Sequence, residues 1–177
     1  MQLVGGERII DRVARGLRAV SDRLLVISND PRAAAWLPDA EVAADVLSGR
    51  ASLVGIHAAL AFARGTVIVV AWDMPFVPTP LLAALRHRLR GTATAVIPIG
   101  SSGPEAVCAA YAVSALPVLE RLVGAGVLKL SDAIDALPNV DRMSPADVAH
   151  FGDPGRMFFN VNRPDDLTRA EAIARAL

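Results

Sequence analysis

The chain has 177 residues, 53% hydrophobic but only 5% aromatic, with 18 basic and 18 acidic side chains. That balance leaves no global field to draw in nucleic acid or a membrane surface, and the length suits one domain with a sizeable core. The single cysteine, Cys108, excludes an intrachain disulfide or a multi-cysteine zinc site, no apolar run approaches the ~20 residues of a membrane span, and MQLVGGERII lacks the pattern of a signal peptide, so a cytoplasmic protein is expected.

Along the chain, residues 8–20 place Ile10, Val13, Leu17 and Val20 at helical spacing. Residues 23–28 form a short branched apolar run, read as a strand that stops at the turn signal Asn29-Asp30-Pro31. EVAAD (41–45) reads as a second short strand, VLSGRAS (46–52) as a loop and 53–63 as a helix despite Gly55. VIVVA (67–71) is the clearest strand, apolar on both faces as in the centre of a parallel sheet. Thr79-Pro80 offers a capping hydroxyl and an N1 proline to the next helix. Strands are expected at 94–99, 106–113, 139–143 and 157–162, and helices from a Ser114 cap to Leu122, over 129–137 and over 163–177. This alternation predicts a single three-layer α/β domain with a mostly parallel sheet.

Open α/β sheets bind ligands beyond the carboxyl ends of their strands. Three of the expected strands end in polar groups there: Asn29, Asp45 and Asp73. Asp73 follows a buried strand and precedes Met74-Pro75-Phe76-Val77-Pro78, whose prolines stiffen the turn. A carboxylate there suits Mg2+, which takes one or two carboxylates plus substrate phosphates, or it caps the turn through backbone N–H groups. For Asn29 and Asp45 turn chemistry and solvation are the plainer readings. In FFNVN (158–162), strand alternation would put Asn160 and Asn162 on one side, able to read a polar ligand or, for Asn162, to help cap the last helix. His57 has no carboxylate nearby to orient it and reads as a satisfied or exposed histidine rather than a base, His87 sits among arginines and reads as solvated, Cys108 reads as a small buried residue, and Ser48-Gly49-Arg50 is a weak anion-binding loop. Neither a P-loop nor a GxGxxG fingerprint is present.

Taken in order, ISND, the LVGIHAAL helix, WDMPF, CAAY and the closing FFNVNRPDDL resemble the MobA-like nucleotidyltransferases, and among them the molybdenum cofactor guanylyltransferases. Their CDMPF is WDMPF here, their GPLAG is ASLVG (51–55), and Arg163 replaces the threonine of F-x-N-[IV]-N-T-P-x-D-L. The resemblance implies a Rossmann-like nucleotidyltransferase fold and Mg2+-assisted transfer of GMP from GTP to the phosphate of the molybdopterin cofactor, with release of pyrophosphate. By position, it makes Asp73 the Mg2+ and nucleotide ligand and the catalytic carboxylate. It places Asn29 and Asp45 at the guanine nucleotide and Asn160 and Asn162 at the acceptor. It also implies GTP, the molybdopterin cofactor and molybdoenzyme-maturation proteins as partners.

One departure is large. Family members open with a strand and LAGGxSxRMGxDK, whose glycine-rich loop cradles the triphosphate, whereas MQLVGGERIIDRV aligns just after that lysine. The expectation is therefore a domain over 1–177 lacking the first strand and phosphate loop, with a start set too far downstream or with catalysis lost. A non-catalytic nucleotide- or pterin-binding protein, a cytidylyltransferase and a sugar-nucleotide transferase are the alternative readings.

Overall fold

The structure, a computed structural model, describes residues 2–44 and 51–176. The chain opens with a hairpin, β1 (Leu3–Val4) and β2 (Glu7–Arg8), turned by Gly5 and Gly6, both at positive φ. This conformation is cheap for glycine and is what a two-residue hairpin turn of the right twist requires. There follow α1 (Ile9–Arg18), β3 (Leu25–Ile27), β4 (Glu41–Ala43), α2 (Ser52–Ala63) and β5 (Val67–Val70). Next come α3 (Thr79–Arg88), β6 (Ala95–Gly100), β7 (Gly103–Pro104), β8 (Cys108–Tyr111), α4 (Leu116–Gly124) and α5 (Leu130–Ala136). The chain closes with β9 (Val140–Met143), α6 (Pro145–Ala149), α7 (Pro154–Met157) and α8 (Pro164–Arg175).

The main sheet has five strands in the order β5-β8-β6-β7, with β9 paired to β6. β8 runs antiparallel to both β5 and β6, and β9 runs parallel to β6, so β5, β6 and β9 share one direction and β8 is reversed between them. The expected parallel surroundings of VIVVA are thus corrected: its ladder partner among the described residues is antiparallel β8. All four residues of β5 are also only half-buried. β3 and β4 pair in parallel as a separate two-stranded sheet. Among the described residues no ladder joins β3 to β5. A groove of about 720 Å³ lies between them, walled by Val13 and Leu17 of α1 and by Gly55, Ile56 and Ala59 of α2.

Strand alternation sorts the core into two faces. Ala95 and Ile97 of β6, with Ala109 and Tyr111 of β8, pack under Leu53, Ile56 and Leu60 of α2, Leu119 of α4 and Ile134 of α5. Val96, Cys108 and Ala110 face the other way, onto Leu81, Leu82 and Leu85 of α3 and Val148 of α6. The three-layer α/β reading is therefore the observed architecture. Small residues throughout β8 let helices approach the sheet from both sides. Tyr111 is the exception, and its hydroxyl donates to the Ala106 carbonyl at 2.7 Å. Tyr111→Phe should leave that buried carbonyl without its donor and cost about 1–3 kcal/mol, read as a lower urea midpoint at unchanged m-value.

Several local expectations are corrected. Thr79 is the first residue of α3 rather than its cap, and its hydroxyl makes no capping bond. Ser114 sits inside a 3-10 turn (Val113–Ala115) that precedes α4. Residues 157–162 form no strand: Met157 ends α7, and 158–162 are irregular. The two short helices α6 and α7 had no periodic signal, because each is a single turn fixed by a cap. The Ser144 hydroxyl accepts from Asp147 N–H, and the Asp153 carboxylate accepts from Gly155 N–H. His57 is buried with Nδ1 lacking a hydrogen-bond partner, neither satisfied nor exposed as expected.

Candidate active site

Asp73 sits just past β5, in the turn that leads to α3. Met74, 1% exposed, anchors this turn in the core beside Leu81 and Leu82, and its N–H donates to the Ala71 carbonyl at 3.1 Å. Phe76 is buried in a smaller cluster with Val4, Ile9, Val161 and Ala170. The apolar residues on either side of Pro75 are thus drawn into two different clusters, and the acid before them is held at the surface of the sheet rather than inside it. The Asp73 carboxylate is half-buried and has no side-chain partner among the described residues. Loss of hydration pushes its pKa above the ordinary 3.8, against the opposing pull of a bond from its own backbone N–H. It lines the groove between β3 and β5, together with Ser28 from the end of β3 and Trp72, which is 61% exposed.

At the end of β3, Asp30 is occupied. It takes the Arg32 N–H at 2.8 Å and the Arg32 guanidinium at 2.7 Å, which hold its carboxyl down at about 2, while its own N–H donates to the Ser28 hydroxyl. This closes the turn and leaves Asn29 exposed at its tip, one residue from the groove lining. Asp45 and the loop Ser48-Gly49-Arg50 lie outside the described residues. Beside Asn160, the N–H of Val161 donates to the Asp73 carbonyl at 2.9 Å. The Asn160 side-chain amide donates to the Phe158 carbonyl at 3.3 Å. Asn162 is exposed, and capping of α8 falls to Asp166, whose carboxylate accepts the N–H groups of Asn162 and Arg163. The structure therefore places Asp73 and Ser28, the residue before Asn29, on one groove and ties the backbone beside Asn160 to that of Asp73, while Asn29, Asn160 and Asn162 do not themselves line the groove.

Sequence reasoning missed Trp72 and Glu105. Trp72 was legible as the residue that departs from the family's CDMPF, but nothing in the sequence said it would be exposed. Glu105 lies three residues before Cys108, whose ladder partner is Val70, three residues before Asp73. It is a second half-buried carboxyl at this end of the sheet, pushed up by desolvation and packed against Gly100, which Phe158 also approaches.

Among the described residues no three His, Cys, Asp or Glu side chains come together as a metal cage. Asp73 alone, half-dehydrated and without a cationic partner, fits the other arrangement, in which a hard divalent cation is shared between one carboxylate and substrate phosphates.

A family model described as the MobA-like NTP transferase domain matches residues 1–140. The chain belongs to the MobA-like NTP transferase family. Other comparisons agree with that membership. The MobA-like chain is 28% identical over 177 residues to a molybdenum cofactor guanylyltransferase of Desulfosudis oleivorans, covering 99% of this chain and 86% of that protein. It is 33% identical to a probable molybdenum cofactor guanylyltransferase of Chloroflexus aggregans, over 94% of this chain and 81% of the relative. The crystal structure of molybdopterin-guanine dinucleotide biosynthesis protein A from Archaeoglobus fulgidus superposes with a TM-score of 0.82 at 33% identity, over 99% of this chain and 90% of that one. The 2-C-methyl-D-erythritol 4-phosphate cytidylyltransferase of Thermus thermophilus gives 0.70 at 17% identity, a likeness of fold alone. No helix among the described residues is long and apolar enough to cross a membrane.

Proposed function

We propose that this MobA-like nucleotidyltransferase is a guanylyltransferase of the molybdenum cofactor. An oxygen of the acceptor's phosphate attacks the α-phosphorus of GTP, the bond from that phosphorus to the β-phosphate bridge breaks, and pyrophosphate leaves. The observation that carries this reading is Asp73. It is a partly dehydrated carboxylate without a side-chain partner, held at the carboxyl end of β5 by a buried methionine and facing a groove large enough for part of a nucleotide. Mg2+, when bound, neutralises triphosphate charge, and Asp73 is the residue that would hold it.

The remaining tasks are binding and orientation. Asn29 at the β3 turn and Asp45 beyond β4 are assigned to the guanine nucleotide, and Trp72 presents an exposed aromatic face beside the same carboxylate. Asn160 and Asn162 are assigned to the acceptor side. The names of relatives aligned over more than four-fifths of their own length support the choice of GTP and molybdopterin.

Pyrophosphate release from GTP, with Mg2+ and molybdopterin cofactor as acceptor, tests the reading. Release that depends on the acceptor, and at least about tenfold preference for GTP over CTP, a 1.4 kcal/mol discrimination, is the expected result. Tight GTP binding without any release would make the chain a binder, and equal use of CTP would remove the guanylyl assignment.

A further inference from the structure

The turn that carries Asp73 borders a second cavity. Residues 71–73 line the groove described above, whereas Pro75, Phe76 and Pro78 line a separate pocket of about 230 Å³ together with Phe151 and two arginines, Arg12 of α1 and Arg156 of α7. The arginines differ in how they are held. Arg12 donates through Nε to the Val4 carbonyl at 3.2 Å and lies 3.4 Å from the Glu7 carboxylate, which also pairs with Arg15 at 3.0 Å. It is thus fixed in place, while its charge is only partly matched. Arg156 is half-buried; its backbone is bonded to Asp153 and Phe159, but its guanidinium has no hydrogen bond or ion pair with any described residue. The acid nearest it in sequence, Asp153, is exposed and engaged as the cap of α7. A guanidinium drawn partly out of water without a counter-charge is costly, and two guanidiniums on one small pocket match the geometry of a phosphate group.

We infer that this pocket is a phosphate subsite, binding the phosphate of a phosphate ester or a diphosphate between Arg12 and Arg156. The inference deepens the proposed function, because an acceptor phosphate and released pyrophosphate are the two occupants that the reaction supplies. Binding itself needs neither nucleotide nor metal, so it can be tested separately.

The test is titration calorimetry on the 177-residue chain with pyrophosphate, inorganic phosphate and phenyl phosphate, in EDTA and without GTP. Arg156→Met should weaken the tightest of the three by at least about tenfold, as expected for loss of a charge-assisted hydrogen bond. Arg156→Lys should recover part of that affinity. Arg169→Met removes the same charge from α8, where Arg169 stacks on Phe159. It should leave affinity unchanged. Tighter binding of phenyl phosphate points to the acceptor's phosphate, and tighter binding of pyrophosphate to the leaving group. Unchanged affinity in Arg156→Met, an equal loss in Arg169→Met, or no saturable binding at millimolar ligand overturns the subsite. Chemical-shift perturbation of the Gly155 and Met157 amides by the same ligands covers the case in which Arg156→Met folds poorly, and unmoved amides would also overturn it. None of these outcomes depends on GTP turnover, so failure here and failure of the guanylyltransferase reading are distinguishable.

Discussion

Asp73→Asn is expected to lower the rate of nucleotidyl transfer by about 10²-fold or more while leaving the protein as stable as before, or more so. The two halves of this result have one cause. The carboxylate is half-buried with no side-chain partner, and its folded pKa is raised above 3.8 by desolvation. Between 3.8 and the folded value the folded state holds more protons than the unfolded one. Stability therefore falls as pH rises through that window, and at neutral pH the ionised group weighs against folding. An amide of the same shape removes that cost, and with it the negative charge needed to hold a cation against phosphates. The measurement is paired: steady-state rates beside thermal melts at pH 7. A variant that keeps its rate would remove Asp73 from the site, and one that loses stability would show that the carboxylate has a structural partner.

Met74→Ala tests the same turn from beneath. Met74 is 1% exposed and packs in the cluster of α3, β6 and β8. Truncating a buried methionine there should cost about 2–5 kcal/mol, which in a domain of this size lowers the melting temperature by about 4–20 °C. Transfer activity should also fall at temperatures where the variant is fully folded, because the anchor that fixes the carboxylate one residue earlier has gone. Small misplacements of a reacting group cost large factors in rate. A variant with normal kcat/KM well below its melting point would show that the prolines at 75 and 78 hold the turn unaided.

Much of the architecture was legible because it rests on short-range patterns. The branched apolar runs at 23–28, 67–71 and 94–99 contain β3, β5 and most of β6, and the helical periods at 8–20 and 129–137 contain α1 and α5. The family resemblance rested on WDMPF and FFNVN; the family model over residues 1–140 and relatives aligned over nearly the whole chain bear it out. Residues 157–162 went astray for a physical reason. Their alternation is real, with Phe159 and Val161 in one cluster and Phe158 in another, yet they bond to a turn rather than to a strand. Side-chain alternation reports which face is covered and says nothing of where backbone N–H groups find partners.

By itself, then, the sequence determined the layered α/β class, the family, and Asp73 as the acid at a strand's end, because periodicity and motif spacing are local properties of the chain. Only the tertiary structure decided that β8 enters reversed between β5 and β6, that Asp30 is taken by Arg32 while Asp73 keeps a carboxylate without a side-chain partner, and that Arg12 and Arg156, 144 positions apart in the chain, meet at one pocket. Each of these depends on which distant groups come within hydrogen-bonding or Coulombic reach, and residue order along the chain does not encode that distance.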